Sequence, residues 1–339
     1  MVRMVLSIFL ALCVLPLVAA AQGTVDLYIF AGQSNADGRG EVSDLSAAQL
    51  ESLQSDAIIN YLNPGSERDR ANTESNPPDL DVGTNGFVDL VPDGGFSGGF
   101  SVNRTSTREL SPTFGAELSF AASISEATGS DNQIAIVKVT RGGASLRNDF
   151  LPTFDINTED DAPQGFAYRA LIEQVTTSIA ALEAQGNTVN VEGFFWHQGE
   201  SDSQDNDDQV GSYTENFAAL VDGVRGEFGA DIPFVLSELA QNRTSTDGSA
   251  PFNDNLNNVV AAREGLSFVS SVGLTTPGDT NTDPDLDEED LDFTHFDAES
   301  QVELGRRFAA AFATTSVPEP SSGMIVFALG LGLAARRNR

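Results

Sequence analysis

Along residues 24–313 two hydrophobic patterns take turns. Short, almost wholly apolar runs fall at residues 27–31, 133–140, 189–196, 232–237 and 266–272. A run of that length with no polar face reads as a strand buried on both sides, as in a parallel sheet. Between these runs apolar residues recur three and four apart, which predicts helices over 114–124, 166–185, 209–228, 255–264 and 298–313. A shorter helix is expected at 47–53 and a short apolar piece at 58–62. In 166–185 the stripe is Tyr168, Leu171, Ile172, Val175, Ile179 and Leu182, with Gly186 placed as its stop. Ser111-Pro112-Thr113 reads as the cap of the helix through Phe114, Leu118 and Ile124. Strands alternating with helices imply an α/β domain with helices on both faces of a parallel sheet, because right-handed crossovers leave few other arrangements. The loops at the carboxyl ends of its strands then share one edge.

One stretch breaks the alternation. Residues 63–110 turn to Gly, Asn, Asp, Pro and Ser with scattered phenylalanines, as in Asn76-Pro77-Pro78 and Pro92-Asp93-Gly94-Gly95. A loop that long inside a compact domain is usually functional or mobile, and it reads here as an excursion near the site with room for a small hairpin.

The two ends follow a different logic. Residues 1–21 carry Arg3, an apolar core over 5–18 and then Ala19-Ala20-Ala21, the small-residue pattern cleaved by signal peptidase. The chain is therefore expected to be exported as a domain over 22–316, followed by a tail over 317–339. Its one cysteine, Cys13, lies in the leader, which leaves the mature protein without disulfide or thiol chemistry. In the tail, Val317-Pro318-Glu319-Pro320 precedes an apolar run over 323–335 and the closing Arg336-Arg337-Asn338-Arg339. That run has 13 residues, against about 20 for a membrane-spanning helix, so no stable span is expected in the mature form. The tripartite tail resembles the PEP-CTERM sorting signal of Gram-negative bacteria. The resemblance implies processing by an exosortase in a lineage that makes extracellular polysaccharide.

Charge narrows the partners. The formal net charge is −32, and four of the 18 basic residues sit in the leader and tail. A surface that acidic repels phosphate backbones and anionic membranes, which excludes nucleic acid as a partner.

The candidate chemistry begins at Gly32-Gln33-Ser34-Asn35, where the first apolar run stops in a tight turn. In α/β proteins this is where ligands and catalytic groups gather, so Ser34 is a candidate nucleophile. The mature chain has only His197 and His295 from which to draw a general base, and too few imidazoles for a His-rich zinc site. His295 follows Asp292 by three residues, a spacing that lets the carboxylate hold Nδ1–H while Nε2 faces the serine. His197, next to Trp196, reads more readily as a structural histidine.

Taken in order, Gly32-Gln33-Ser34-Asn35, Gly142-Gly143, Trp196-His197-Gln198-Gly199-Glu200-Ser201-Asp202 and Asp292-x-x-His295 resemble the SGNH hydrolase superfamily. Within it they look most like carbohydrate esterase family six and the sialate O-acetylesterase-like proteins. The resemblance spans about residues 24–313 and implies a three-layer αβα, flavodoxin-like, doubly wound sheet. It further implies acyl-ester hydrolysis by a nucleophile Ser34, a base His295 and an orienting Asp292, with no cofactor. The implied oxyanion hole comprises the Ser34 and Gly142 backbone N–H groups and the Gln198 amide. Gly143 could exchange roles with Gly142, Glu200 is expected to buttress the loop or His295, and Asp297 is a weaker candidate for the acid. Asn35 and His197 complete the supporting set. Ala36-Asp37 departs from the pattern, since the family commonly has Met and a small residue there.

The acidic run over 279–290 echoes a calcium loop in Asp279-x-Asn281-x-Asp283-x-Asp285, but has Pro284 where glycine is needed and Asp290 where Glu is expected. A solvated acidic loop is the expectation. The function expected is an exported serine esterase that removes acetyl or another small acyl group from a poly- or oligosaccharide. Its rivals are a non-catalytic carbohydrate-binding or matrix protein on the same fold, and an esterase for lipidic substrates.

Overall fold

The computed structural model describes residues 23–65, 81–92, 101–102, 110–152, 165–203, 207–243, 249–283, 287 and 291–316. The leader, the sorting tail and part of the 63–110 excursion lie outside them.

Six strands make the body of the main sheet: β1 (Thr24–Gly32), β2 (Ile58–Asn63), β3 (Gln133–Thr140), β4 (Thr188–His197), β5 (Phe234–Ser237) and β6 (Leu266–Val269). Their order is β6-β5-β4-β1-β3-β2, with every neighbouring pair parallel. With β2 set aside, the order of the other five is the doubly wound, flavodoxin-like one, and the point where it reverses lies between β1 and β4. β2 extends the sheet beyond β3, and Val82–Gly83 and Val88–Asp89 pair antiparallel against its outer edge.

The continuous apolar runs are explained by burial on both faces. Along β1, Tyr28 and Phe30 join one core with Phe195, Phe120, Phe308 and Phe312. Leu27, Ile29 and Ala31 join the other with Val137, Trp196, Leu171 and Phe217. The first core lies under helices α3 (Glu117–Thr128) and α8 (Ala298–Ser316), and the second under α4 (Phe166–Ala184), α5 (Asp207–Phe228) and α6 (Ala250–Ala261). Each large apolar side chain withdrawn from water in this way contributes about 1.5–3 kcal/mol. The helices α1 (Ser34–Asp37), α2 (Ala47–Ser52) and α7 (Pro277–Thr280) are a turn or two long.

Several elements differ from the expectation. The apolar piece at 58–62 is the full strand β2. Residues 111–113 do not cap a helix: Thr113–Phe114 pairs antiparallel with Gly40–Glu41, and α3 starts at Glu117. α6 begins five residues earlier than expected, with a proline in its first turn. Of the excursion, the Ser101–Val102 and Leu110–Ser111 strands form an antiparallel pair. Among the described residues no helix is long and apolar enough to cross a membrane.

Candidate active site

The ends of β1, β3 and β4 are knit together at the point where the strand order reverses. Gln33 N donates to His197 O (3.0 Å), and Arg141 N donates to Gly32 O (3.0 Å). Gly32 adopts φ 139°, and a Cβ there would lie 2.0 Å from His197 O, so only glycine permits this approach. The chain then makes the single turn α1, closed by Asp37 N to Gln33 O (2.8 Å) and Gly38 N to Ser34 O (3.0 Å).

This turn brings Ser34 to His295, 261 positions away in the chain. Ser34 Oγ lies 2.8 Å from His295 Nε2, and His295 Nδ1 lies 2.9 Å from Asp292 Oδ2 and 3.2 Å from Oδ1. The carboxylate also accepts from the backbone N–H of Thr294 (2.9 Å) and of His295 (3.0 Å), which sets the loop that carries the imidazole. The His295 and Asp292 side chains keep 19% and 21% of their surface accessible. The hydroxyl, imidazole and carboxylate thus form a hydrogen-bonded line that reaches solvent.

The other histidine is placed differently. His197 is buried, its Nδ1 pairs with Ser237 Oγ at the end of β5, and its Nε2 donates to Glu200 Oε1 (3.2 Å). Burial would raise the Glu200 pKa, but His197 and the hydrogen bonds from His197 and Asn35 outweigh it and hold the carboxyl at about 2. Glu200 Oε1 also accepts from Asn35 Nδ2 (2.7 Å), so Glu200 buttresses the Ser34 turn rather than touching His295.

The Gln198 side chain, expected to face a substrate, is turned inward. Its Nε2 donates to Gln33 Oε1 (3.0 Å), Ala144 O (3.2 Å) and Asp202 Oδ2, and its Oε1 accepts from Tyr213 Oη (3.0 Å). The residue that sequence reasoning passed over is Gln33. Its Oε1 is held by Gln198 Nε2 and by Ser201 N (3.2 Å), which leaves its own NH₂ on the other arm of the amide. The signal for it was its position directly before Ser34. Gly142 is exposed at the end of β3, and Gly143, at φ 73°, accepts from Ser201 Oγ through its carbonyl (3.1 Å). Asp297 is not part of the line: its carboxylate caps α8 through Ser300 N (2.9 Å) and accepts from Thr275 Oγ1 (2.6 Å).

Beneath α1 sits a buried ionic group. Lys138 Nζ lies 2.9 Å from Glu117 Oε1 and donates to Asp37 O (2.7 Å). Asp37 Oδ2 accepts from Arg39 Nη1 (2.6 Å), while Oδ1 accepts from Tyr61 Oη, Thr140 Oγ1 and Asn63 Nδ2. Burial raises the Asp37 pKa, but Arg39, Lys138 and these hydroxyls together lower it below the ordinary carboxylate value. The unusual Asp37 therefore anchors the Ser34 turn to β2 and β3.

Among the described residues no group of three or more His, Cys, Asp or Glu side chains is placed to hold a metal ion. Asp279, the first residue of the acidic run, caps α7 through Thr276 and accepts from Asn242 Nδ2 (2.9 Å).

The profile of the carbohydrate esterase, sialic acid-specific acetylesterase family matches residues 24–314, and the PEP-CTERM protein-sorting motif matches residues 316–339. No curated protein matches the sequence. Among solved structures the fold is similar to that of an Arabidopsis thaliana protein, with TM-score 0.55 and 15% identity over 86% of this chain and 98% of that one. It is similar to NanS, with TM-score 0.53 and 17% identity over 87% and 98%. It is also similar to a carbohydrate acetylesterase from Xanthomonas citri, with TM-score 0.51 and 18% identity over 85% of this chain and 55% of that longer one. With a match across nearly its whole described length, the chain belongs to the carbohydrate esterase, sialic acid-specific acetylesterase family and carries a PEP-CTERM sorting motif.

Proposed function

We propose that this protein is a serine esterase that hydrolyses acetyl or other small acyl esters on a carbohydrate through Ser34, His295 and Asp292. The observation that carries the reading is the 2.8 Å contact between Ser34 Oγ and His295 Nε2, with Asp292 2.9 Å from the other ring nitrogen. Asp292 fixes the tautomer in which Nε2 is unprotonated and can accept the Ser34 proton. Ser34 Oγ attacks the ester carbonyl, the carbonyl electrons move to oxygen, and His295 passes its proton to the departing sugar oxygen as the C–O bond breaks. Water, deprotonated by His295, then attacks the acyl-Ser34 carbonyl, and acetate leaves as the proton returns to Oγ.

Donors for the developing oxyanion come from the backbone N–H groups of Ser34 and Gly142. The third is the NH₂ of Gln33, whose Oε1 is already engaged, since the Gln198 amide is committed to Gln33, Ala144 and Asp202. Such donors are worth about 3–4 kcal/mol each. In this reading the sorting motif delivers the enzyme to the envelope or exopolysaccharide of a Gram-negative cell after exosortase processing. Acetate release from a panel of acetylated neutral and acidic polysaccharides tests it. Release from at least one that vanishes in Ser34→Ala is expected, and equal release by the two proteins overturns it.

A further inference from the structure

Asn35 follows the proposed nucleophile directly, is fully buried, and gives every hydrogen bond of its amide to a fixed partner. Nδ2 donates to Thr294 O (2.9 Å) and to Glu200 Oε1 (2.7 Å), and Oδ1 accepts from Phe296 N (2.9 Å). Thr294 and Phe296 are the residues on either side of His295. One side chain therefore grips the backbone both before and after the imidazole, while its own backbone is continuous with Ser34. Gln301 Nε2, from α8, steadies this arrangement by donating to Asn35 O (3.3 Å).

Only one orientation of the amide works. Reversed, its oxygen would face the Thr294 carbonyl and the Glu200 carboxylate, two groups that only accept, and its NH₂ would face the Phe296 N–H. Glu200 enforces the choice, because an ionised carboxylate has no hydrogen to offer. Glu200 is itself fixed by His197, which Ser237 holds, and by Arg243 Nη2, which donates to Glu200 O (2.8 Å).

We infer that Asn35 is the positioning residue that sets the distance between Ser34 and His295, and that Glu200 sets the orientation of Asn35. The buried Ser237–His197–Glu200 chain then acts on the reaction through that amide. This inference rests on the catalytic reading of Ser34 and His295, and it assigns the second histidine a place in the same reaction without contact to substrate.

Kinetics on a small acetyl ester, normalised to sites titrated with a fluorophosphonate, test it in the full chain. Asn35→Asp loses both donors and is expected to lower kcat about a hundredfold, the cost of a misplaced reacting pair, with KM nearly constant. A general loss of stability would instead lower the titratable fraction and leave kcat per site intact. Adding Glu200→Gln to Asn35→Asp reverses donor and acceptor between the two side chains, since the new NH₂ can donate to the new carboxylate. The double variant is expected to regain about tenfold over Asn35→Asp, the coupling of residues in direct contact. A double variant no better than Asn35→Asp overturns the inference.

If Asn35→Asp does not fold, Asn35→Ser decides. Its hydroxyl cannot span both Thr294 and Phe296, so the same loss confined to kcat is required, and parental kcat overturns the inference. Equal activity of the parent and Ser34→Ala would sink the catalytic reading itself. An active parent with an unaffected Asn35→Asp sinks only the positioning claim.

Discussion

Two serine–histidine–acid lines sit within a few strand ends of one another. In both the acid and the histidine are three residues apart, Asp292 with His295 and His197 with Glu200, yet they are wired in opposite senses. His295 gives Nδ1 to its carboxylate and Nε2 to Ser34, and about a fifth of its side chain and of Asp292 stays accessible. His197 gives Nε2 to its carboxylate and Nδ1 to Ser237, and the imidazole and the carboxylate are at most 2% accessible. The comparison teaches that residue types and spacing do not make a reactive serine. In the proposed reading, access for the substrate, and a ring nitrogen aimed from the surface, separate a line that turns over from one that holds.

The same deletion should therefore cost activity at one line and stability at the other. Ser34→Ala, or Asp292→Asn with its reversed tautomer preference, is expected to lower kcat by about 10⁴-fold or more with little change in unfolding midpoint, measured by ester hydrolysis and by thermal melting. Glu200→Ala strands the buried imidazole and should cost about 3–5 kcal/mol in denaturant unfolding. An exchange of these two outcomes would break the comparison.

Acid sharpens it. The folded Glu200 pKa, about 2, is below the ordinary 4.5, so its contribution is complete above pH 4.5 and is lost as pH falls from there toward 2. Asp37 is shifted in the same direction. Unfolding midpoints followed over that window should fall in the parent and fall less in Glu200→Gln, whose buried amide does not titrate. The smallest effect belongs to Ser237→Ala, which leaves His197 Nδ1 without its partner. It should cost about 1–3 kcal/mol of stability and far less activity than Asp292→Asn.

Much of this architecture was legible because burial on two faces writes itself as an unbroken apolar run. Tyr28 and Phe30 feed one core and Leu27 and Ile29 the other, and no polar position interrupts them. β2 was harder to read because Asn60 and Asn63 interrupt its pattern, although both are buried and bonded to Ser178 and Asp37. The pairing of Thr113–Phe114 with Gly40–Glu41 joins segments more than 70 residues apart, which local spacing cannot announce. At the site, the scarcity of histidine and the Asp292-to-His295 spacing pointed to the side chains that lie in hydrogen-bonding line with Ser34 Oγ. The direction of the Gln198 amide depended on Asp202 within the motif but also on Tyr213 and the Ala144 carbonyl, which the motif does not contain. Gln33 was hidden although its partners Gln198 and Ser201 lie in the motif, because a motif names residues and not the direction in which their amides point.

The most direct measurement is the site of covalent modification by a fluorophosphonate, mapped by mass spectrometry on the full chain. Stoichiometric phosphonylation of Ser34, with Ser237 unmodified and ester hydrolysis lost in parallel, is the predicted result. An adduct on Ser237, or hydrolysis that persists with Ser34 fully modified, would contradict it.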